Sequence, residues 1–241
     1  MTHLCEFHPA LFETHLSGII TIVSQVMTNS EFDEDTRSIA AEMIVALAAA
    51  YPALVRRLDD VKTTFFPAIF QMIADVELKD DSELQEWSEK RELDDISRTD
   101  PHGVGKQILG RFAADIGEKT TISATSDLIK EAITNEDWKI RQAGYFFLAG
   151  IAETCRSTFK SNLDEIMRMA CSGVMDDHPR VKYAGLSCLA VIISVHAPHS
   201  QKTYHADIVP QLIQVMSSQD LVKVRTQGVA AMVNFVRDLI V

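Results

Sequence analysis

The chain has 241 residues and a formal net charge of −11, with 46% hydrophobic, 24% charged and only 7% aromatic residues. That is the composition of a globular chain able to bury a substantial core. Its acid excess argues against a nucleic-acid-binding surface, which needs clustered Lys and Arg. Gly and Pro are sparse while Ala, Leu, Ile, Val and Met are plentiful, so helices are favoured over a sandwich of short strands and the expected fold is all-α.

The opening MTHLCEFHPALFE lacks the basic and apolar regions of a signal peptide, and no run of eighteen or more apolar residues follows. A soluble intracellular chain without membrane contact is expected. Along the chain, FETHLSGIITIVSQVM reads as an amphipathic outer helix, called A. An inner helix, B, follows over DEDTRSIAAEMIVALAAAYP, starting near Asp33 or Asp35 and ending before Pro52. TTFFPAIFQMIADVE reads as the next A helix, with Thr64 as a candidate cap before Pro67, and GVGKQILGRFAADIG (103–117) as its delayed B helix.

Between these two lies an acidic insertion, 78–102. Eleven acids and four bases fall between Asp75 and Asp100, a net −7 that makes up most of the whole chain's charge. Composition alone accounts for a solvated loop or a short charged helix. The alternative is a surface for a basic partner, formed by Asp80, Asp81, Glu83, Glu86, Glu89, Asp94 and Asp95 with Trp87 as an anchor.

The second half repeats itself. DWKIRQAG begins at 137, HPRVKYAG at 178 and LVKVRTQG at 221, spacings of 41 and 43 residues. Each stretch carries a cation, an apolar residue, a second cation and a Gly at its eighth place, and each opens a run of apolar residues three and four apart. Upstream of each stands another amphipathic run: SDLIKEAIT, NLDEIMRMACSGVM and DIVPQLIQVM. A period of about 40 to 47 residues with helical periodicity is the signature of HEAT or armadillo arrays.

The details then have physical reasons. Glu136 or Asp137, Asp177 and Asp220 are placed to cap the B helices. Pro179 suits a first helical turn, and Pro210, after Asp207, marks the start of an A helix. Gly144, Gly185 and Gly228 allow helices to approach closely. Arg141, Lys182 and Arg225 can pair with acidic turns of neighbouring repeats. The expected organisation is one solenoid of about five HEAT repeats: 9–51, 60–117 interrupted by the insertion, 121–156, 160–197 and 204–241, with 1–8 as the tail of a preceding helix.

No catalytic or metal-site motif stands out. Cys5, Cys155, Cys171 and Cys188 lack paired spacing and read as reduced, buried thiols. His196 and His199 have helical spacing but no further donor nearby, and GVGKQ lacks the length and the Ser/Thr of a phosphate loop. No enzyme activity, metal or cofactor is expected.

DWKIRQAG…LAGIAETC, MDDHPRVKYAGLSCLAVIISVHAP and VRTQGVAAMVNFVRD resemble consecutive HEAT repeats of the importin-β (karyopherin-β) family of nuclear transport receptors, nearest its importin beta-3 branch. DTRSIAAEMIVALA followed by the acidic interruption resembles that branch too. The resemblance implies a right-handed superhelix, and because the family's receptors are much longer, a central segment of one. It implies binding of cargo with a basic nuclear localisation signal on the concave B-helix face, release by the GTPase Ran in its GTP form, passage through phenylalanine-glycine nucleoporins, and shuttling between cytoplasm and nucleus. Carried onto this sequence, the polar B-helix positions are Glu42, Glu153 and Asn234, joined by Asp238, while the acidic insertion is the candidate contact for Ran or cargo. A monomer is implied. A HEAT scaffold of another complex has the same periodicity and remains the alternative.

Overall fold

Three aspartates start the long helices of one layer. In the computed structural model, which describes residues 15–76, 81–89, 100–218 and 221–237, the carboxylates of Asp33, Asp100 and Asp137 accept hydrogen bonds from the backbone N–H groups of Thr36, Gly103 and Lys139. Each satisfies an orphan donor at a helix end and complements the helix dipole. The helices they open are α2 (Glu34–Ala50), α6 (Pro101–Ile116) and α8 (Trp138–Ile151). With α11 (Pro179–Val195) and α13 (Val222–Arg237) they form the B layer.

The A layer consists of α1 (Leu16–Thr28), α4 (Phe66–Ala74), α7 (Glu118–Ile133), α10 (Leu163–Val174) and α12 (His199–Ser217). Each A helix packs on the B helix that follows it, and successive B helices pack side by side. Short helices α3 (Pro52–Val55) and α9 (Arg156–Ser161) lie between these units, and α5 (Asp81–Glu89) lies within the acidic insertion. No strand occurs among the described residues. The all-α solenoid expected from the periodicity is the fold.

One continuous core joins the units. Phe65 and Phe66 meet Phe112 edge-on at 4.6 and 5.3 Å, and Phe66 and Phe70 reach Phe147 of the next unit at 6.2 and 5.5 Å. Aromatic side chains of neighbouring units thus interlock, and a HEAT unit has no separate core of its own.

Three sequence expectations need correction, and a fourth, at Asp220, is not tested. The α11 cap is not the exposed Asp177: His178 Nδ1 accepts from the Arg180 N–H at 3.3 Å, while Asp176 accepts from the His178 N–H at 2.9 Å. Asp220 lies outside the described residues. Pro210 does not start an A helix, because α12 begins eleven residues earlier, at His199. The buried Ile208 and Leu212 on either side of the proline hold that helix against the core despite the lost backbone bond. Thr64 caps nothing: a π-helical turn over Val61–Phe65 runs straight into α4, so the chain is already wound before Pro67.

The His178 cap titrates. Its ring stacks on Trp138, 4.2 Å away and nearly parallel, and burial, reinforced by Arg141 and Arg180 against the pull of Asp176, lowers its pKa below the ordinary 6.5. The neutral ring, with Nδ1 free to accept, is the folded form. Stability from this group is therefore present above the unfolded pKa and is lost as pH falls below it. Lowering the pH from about 7 to about 5.5 is expected to lower the thermal midpoint, and less so in His178→Asn, which keeps a cap acceptor without the titrating ring. Identical pH profiles for the two proteins would remove His178 from the account.

Candidate functional site: the inner face of the B helices

The two cations of each echo are two residues apart, about 200° around a helix, so they point to opposite sides. In the first echo the second turns into the seam between repeats, whereas Arg225, its counterpart in the third, is exposed. Arg141 donates through Nε and Nη2 to Asp176 at 2.7 and 3.0 Å, and through Nη1 to the carbonyls of Asn135 and Glu136. It thereby ties its own A–B turn to the end of the next A helix. Arg37 does the same one repeat pair earlier, bonding the Met27 carbonyl at 2.8 Å and Asp75 at 2.6 Å.

The first cation belongs to the inner face. Arg180 and Lys223 occupy that place in their echoes and are only 5% and 6% exposed, because α5 lies over them. Trp87 of α5 is buried. Its ring meets Tyr183 edge-on at 5.4 Å, with the Arg180 guanidinium 5.0 Å and the Lys223 Nζ 5.1 Å from the indole. Lys223 also donates to the Trp87 carbonyl at 3.4 Å, where a cation complements the C-terminal end of α5. Arg180 Nε is held by Gln142 Oε1 at 3.0 Å, and Lys106 Nζ lies 4.0 Å from the Phe146 ring. Of the two forms expected for the insertion, solvated loop or short charged helix, residues 81–89 are the helix. Trp87 anchors it to this chain's own B layer.

The acids foreseen in the insertion are placed as follows. Glu86 and Glu89 are exposed on α5 and Glu83 is half-buried. Asp81 begins the helix, whereas Asp80, Asp94 and Asp95 lie outside the described residues.

The polar positions farther along the B helices are not gathered into one site. Glu42, on α2, is exposed and paired with Arg111 of α6 at 2.5 Å. Glu153 is exposed just beyond α8, Asn234 is half-buried on the last turns of α13, and Asp238 lies outside the described residues. They are spread over separate repeats, an arrangement suited to an extended ligand rather than a compact one.

Burial pushes the Cys155 thiol up to about 12 and the Cys171 thiol to about 11, so both stay protonated at neutral pH. Among the described residues no three His, Cys, Asp or Glu side chains are gathered to hold a metal, and no helix is long and apolar enough to cross a membrane. Sequence reading missed Arg180, Lys223, Tyr183 and Gln142 as inner-face residues. The signal was present in the first cation of the echo, but periodicity alone could not show what covers it.

The importin-repeat family model matches residues 29–123. Importin subunit beta-3 of Saccharomyces cerevisiae is 27% identical over 235 residues, covering 98% of this chain and 21% of that protein. The crystal structure of Kap121p bound to Pho4p superposes with a TM-score of 0.91 at 26% identity, over 98% of this chain and 23% of its own. Kap121p bound to RanGTP gives a TM-score of 0.90 at 26% identity with the same coverage. The chain thus spans about a fifth of the length of the relatives it matches.

Proposed function

We propose that the chain belongs to the importin-β (karyopherin-β) family and is a cargo-bearing segment of a nuclear import receptor of its importin beta-3 branch. The reading rests chiefly on a likeness that runs in order over nearly the whole chain to a receptor solved with a protein ligand and with RanGTP. The ligand class is an extended, Lys-rich nuclear localisation signal. It runs along the B helices, where Glu42 midway along α2, Glu153 just beyond α8 and Asn234 in the last turns of α13 offer acceptors one after another.

The Glu42–Arg111 pair does not bar this. Both side chains are about half exposed, 49% and 53%, and such pairs are worth about 0–1 kcal/mol, so an incoming lysine can take over the carboxylate. Several weak contacts along a groove then add up without a deep pocket.

On the outer side, α7, α8, α9 and α10 enclose an apolar groove of about 200 Å³. Ile122, Ile129, Phe159, Ile166 and Met169 line it, and the Lys130–Glu165 ion pair closes one edge at 2.9 Å. This is where phenylalanine side chains of phenylalanine-glycine nucleoporins would sit. The chain acts by binding, without catalysis or a cofactor, as a monomer that shuttles between cytoplasm and nucleus.

A fluorescent Lys-rich signal peptide tests the reading. Affinity is expected to fall about tenfold or more between ~50 and ~200 mM salt, as screening weakens contacts with an acidic groove. Glu42→Lys with Glu153→Lys should weaken it further at low salt, and Ran loaded with GTP should compete. Binding that ignores salt and both substitutions would reject the acidic-groove reading and leave a scaffold for another complex.

A further inference from the structure

Helix α5 has the sequence DSELQEWSE, four acids and no base, and covers a row of cations and rings drawn from four B helices. Lys106 and His102 come from α6, Gln142 and Phe146 from α8, Arg180 and Tyr183 from α11 and Lys223 from α13. Trp87 is the hub, in contact with Arg180, Lys223 and Tyr183. The surface beneath α5 is therefore opposite in character to one that attracts a basic peptide. It presents three cations, Lys106, Arg180 and Lys223, beneath a helix that bears four acids and no base, with a ring, a guanidinium and an ammonium grouped around an indole.

We propose that this inner wall, formed by α6, α8, α11 and α13, is a docking surface for an acidic, tryptophan-bearing helical segment of a partner protein, and that α5 is the chain's own occupant of it. The partner's chemistry is read from α5, whose charge and aromatic anchor complement the wall. Nine residues are too few for a helix to stand alone in water, so α5 depends on its docking contacts. Its advantage over an incoming segment is covalent attachment, which raises its effective concentration at the wall. A longer segment with the same anchor and more acids can replace it. This surface is separate from the one assigned above to basic cargo, and the two assignments stand or fall independently.

The probe is a fluorescein-labelled peptide of the sequence of residues 81–89, titrated into the full chain and followed by polarisation. Trp87→Ala, which loosens the internal occupant, is expected to bind the peptide at least tenfold tighter than the unaltered chain. Lys223→Glu added to that variant should reverse the gain. A peptide with its tryptophan changed to alanine should bind neither protein. Circular dichroism melting checks that each variant is folded, and if Trp87→Ala unfolds, Trp87→Leu keeps an apolar cover while losing the cation–ring contacts and should show a smaller gain of the same sign. Equal affinity of the variant and unaltered chains, absence of peptide binding to the folded variant, or equal binding of a peptide with its four acids changed to lysine would each overturn the proposal. So would dimerisation of the variant, which would make a second copy the occupant.

Discussion

Gly185→Ala is expected to lower the stability of the chain by roughly 3 kcal/mol, at the upper end of what overpacking costs. A Cβ at position 185 would lie 2.3 Å from the carbonyl carbon of Gly173 and 2.7 Å from its Cα. The obstacle is backbone, so no change of rotamer can relieve it, and α10 and α11 must move apart. That movement would also disturb Tyr145, whose ring lies 2.7 Å from where a Cβ on Gly173 would stand and whose hydroxyl is 2.9 Å from Ser172 Oγ. Gly228→Ala provides the contrast within the same echo. There the new Cβ meets side chains alone, Val215 at 3.2 Å and Met216 at 3.5 Å, and the helix gains up to about 1 kcal/mol in propensity, so a change near zero is expected. Urea unfolding of the two variants decides the matter. Equal midpoints would mean that the repeated glycine does not answer to helix approach.

The second large effect is expected at the seam. Asp176→Ala should cost about 3 kcal/mol, because it strands the Arg141 guanidinium and the His178 N–H together. The Asp176 carboxyl is held below its ordinary range: burial alone would raise it, but the bonds from Arg141 and the His178 N–H outweigh that. The side chains of Arg141 and Asp176 are only 19% and 12% exposed, so water cannot easily replace the lost partner. Arg141→Met in the same protein should recover a substantial part of the loss, since it removes the stranded charge and fills the space with an apolar chain. A double-mutant cycle over these variants measures the coupling. Additive losses would show that the two residues act separately and that the seam is held by apolar packing alone.

The fold was legible because an array writes itself more than once. The spacings of 41 and 43 residues, the cation-apolar-cation pattern and the eighth-place glycine are local and periodic, and each has a local cause in capping, helix approach or pairing across a turn. Arg141 reaches the turn of its neighbouring repeat and Asp137 caps its helix, as the echo implied, and of the two starts expected for the first B helix, Asp33 or Asp35, Asp33 is the cap. Misreadings came where local propensity was overruled. Pro210 reads as a helix start because it lacks an N–H, yet burial of Ile208 and Leu212 carries α12 through it. Asp177 is the residue type expected at a cap, yet His178 has the geometry.

The inner face divides along the same line. By itself the sequence determined that a helical array exists, which residues start its helices and where charge is concentrated, because these depend on spacing along one chain. Only the tertiary structure decided where that charge goes. Lys223 donates to Trp87 from 136 positions away, a distance over which no periodicity carries information. The insertion reads as solvated because acids dominate it. It is partly docked because one tryptophan finds two cations and a tyrosine that two neighbouring B helices, α11 and α13, bring to a single wall.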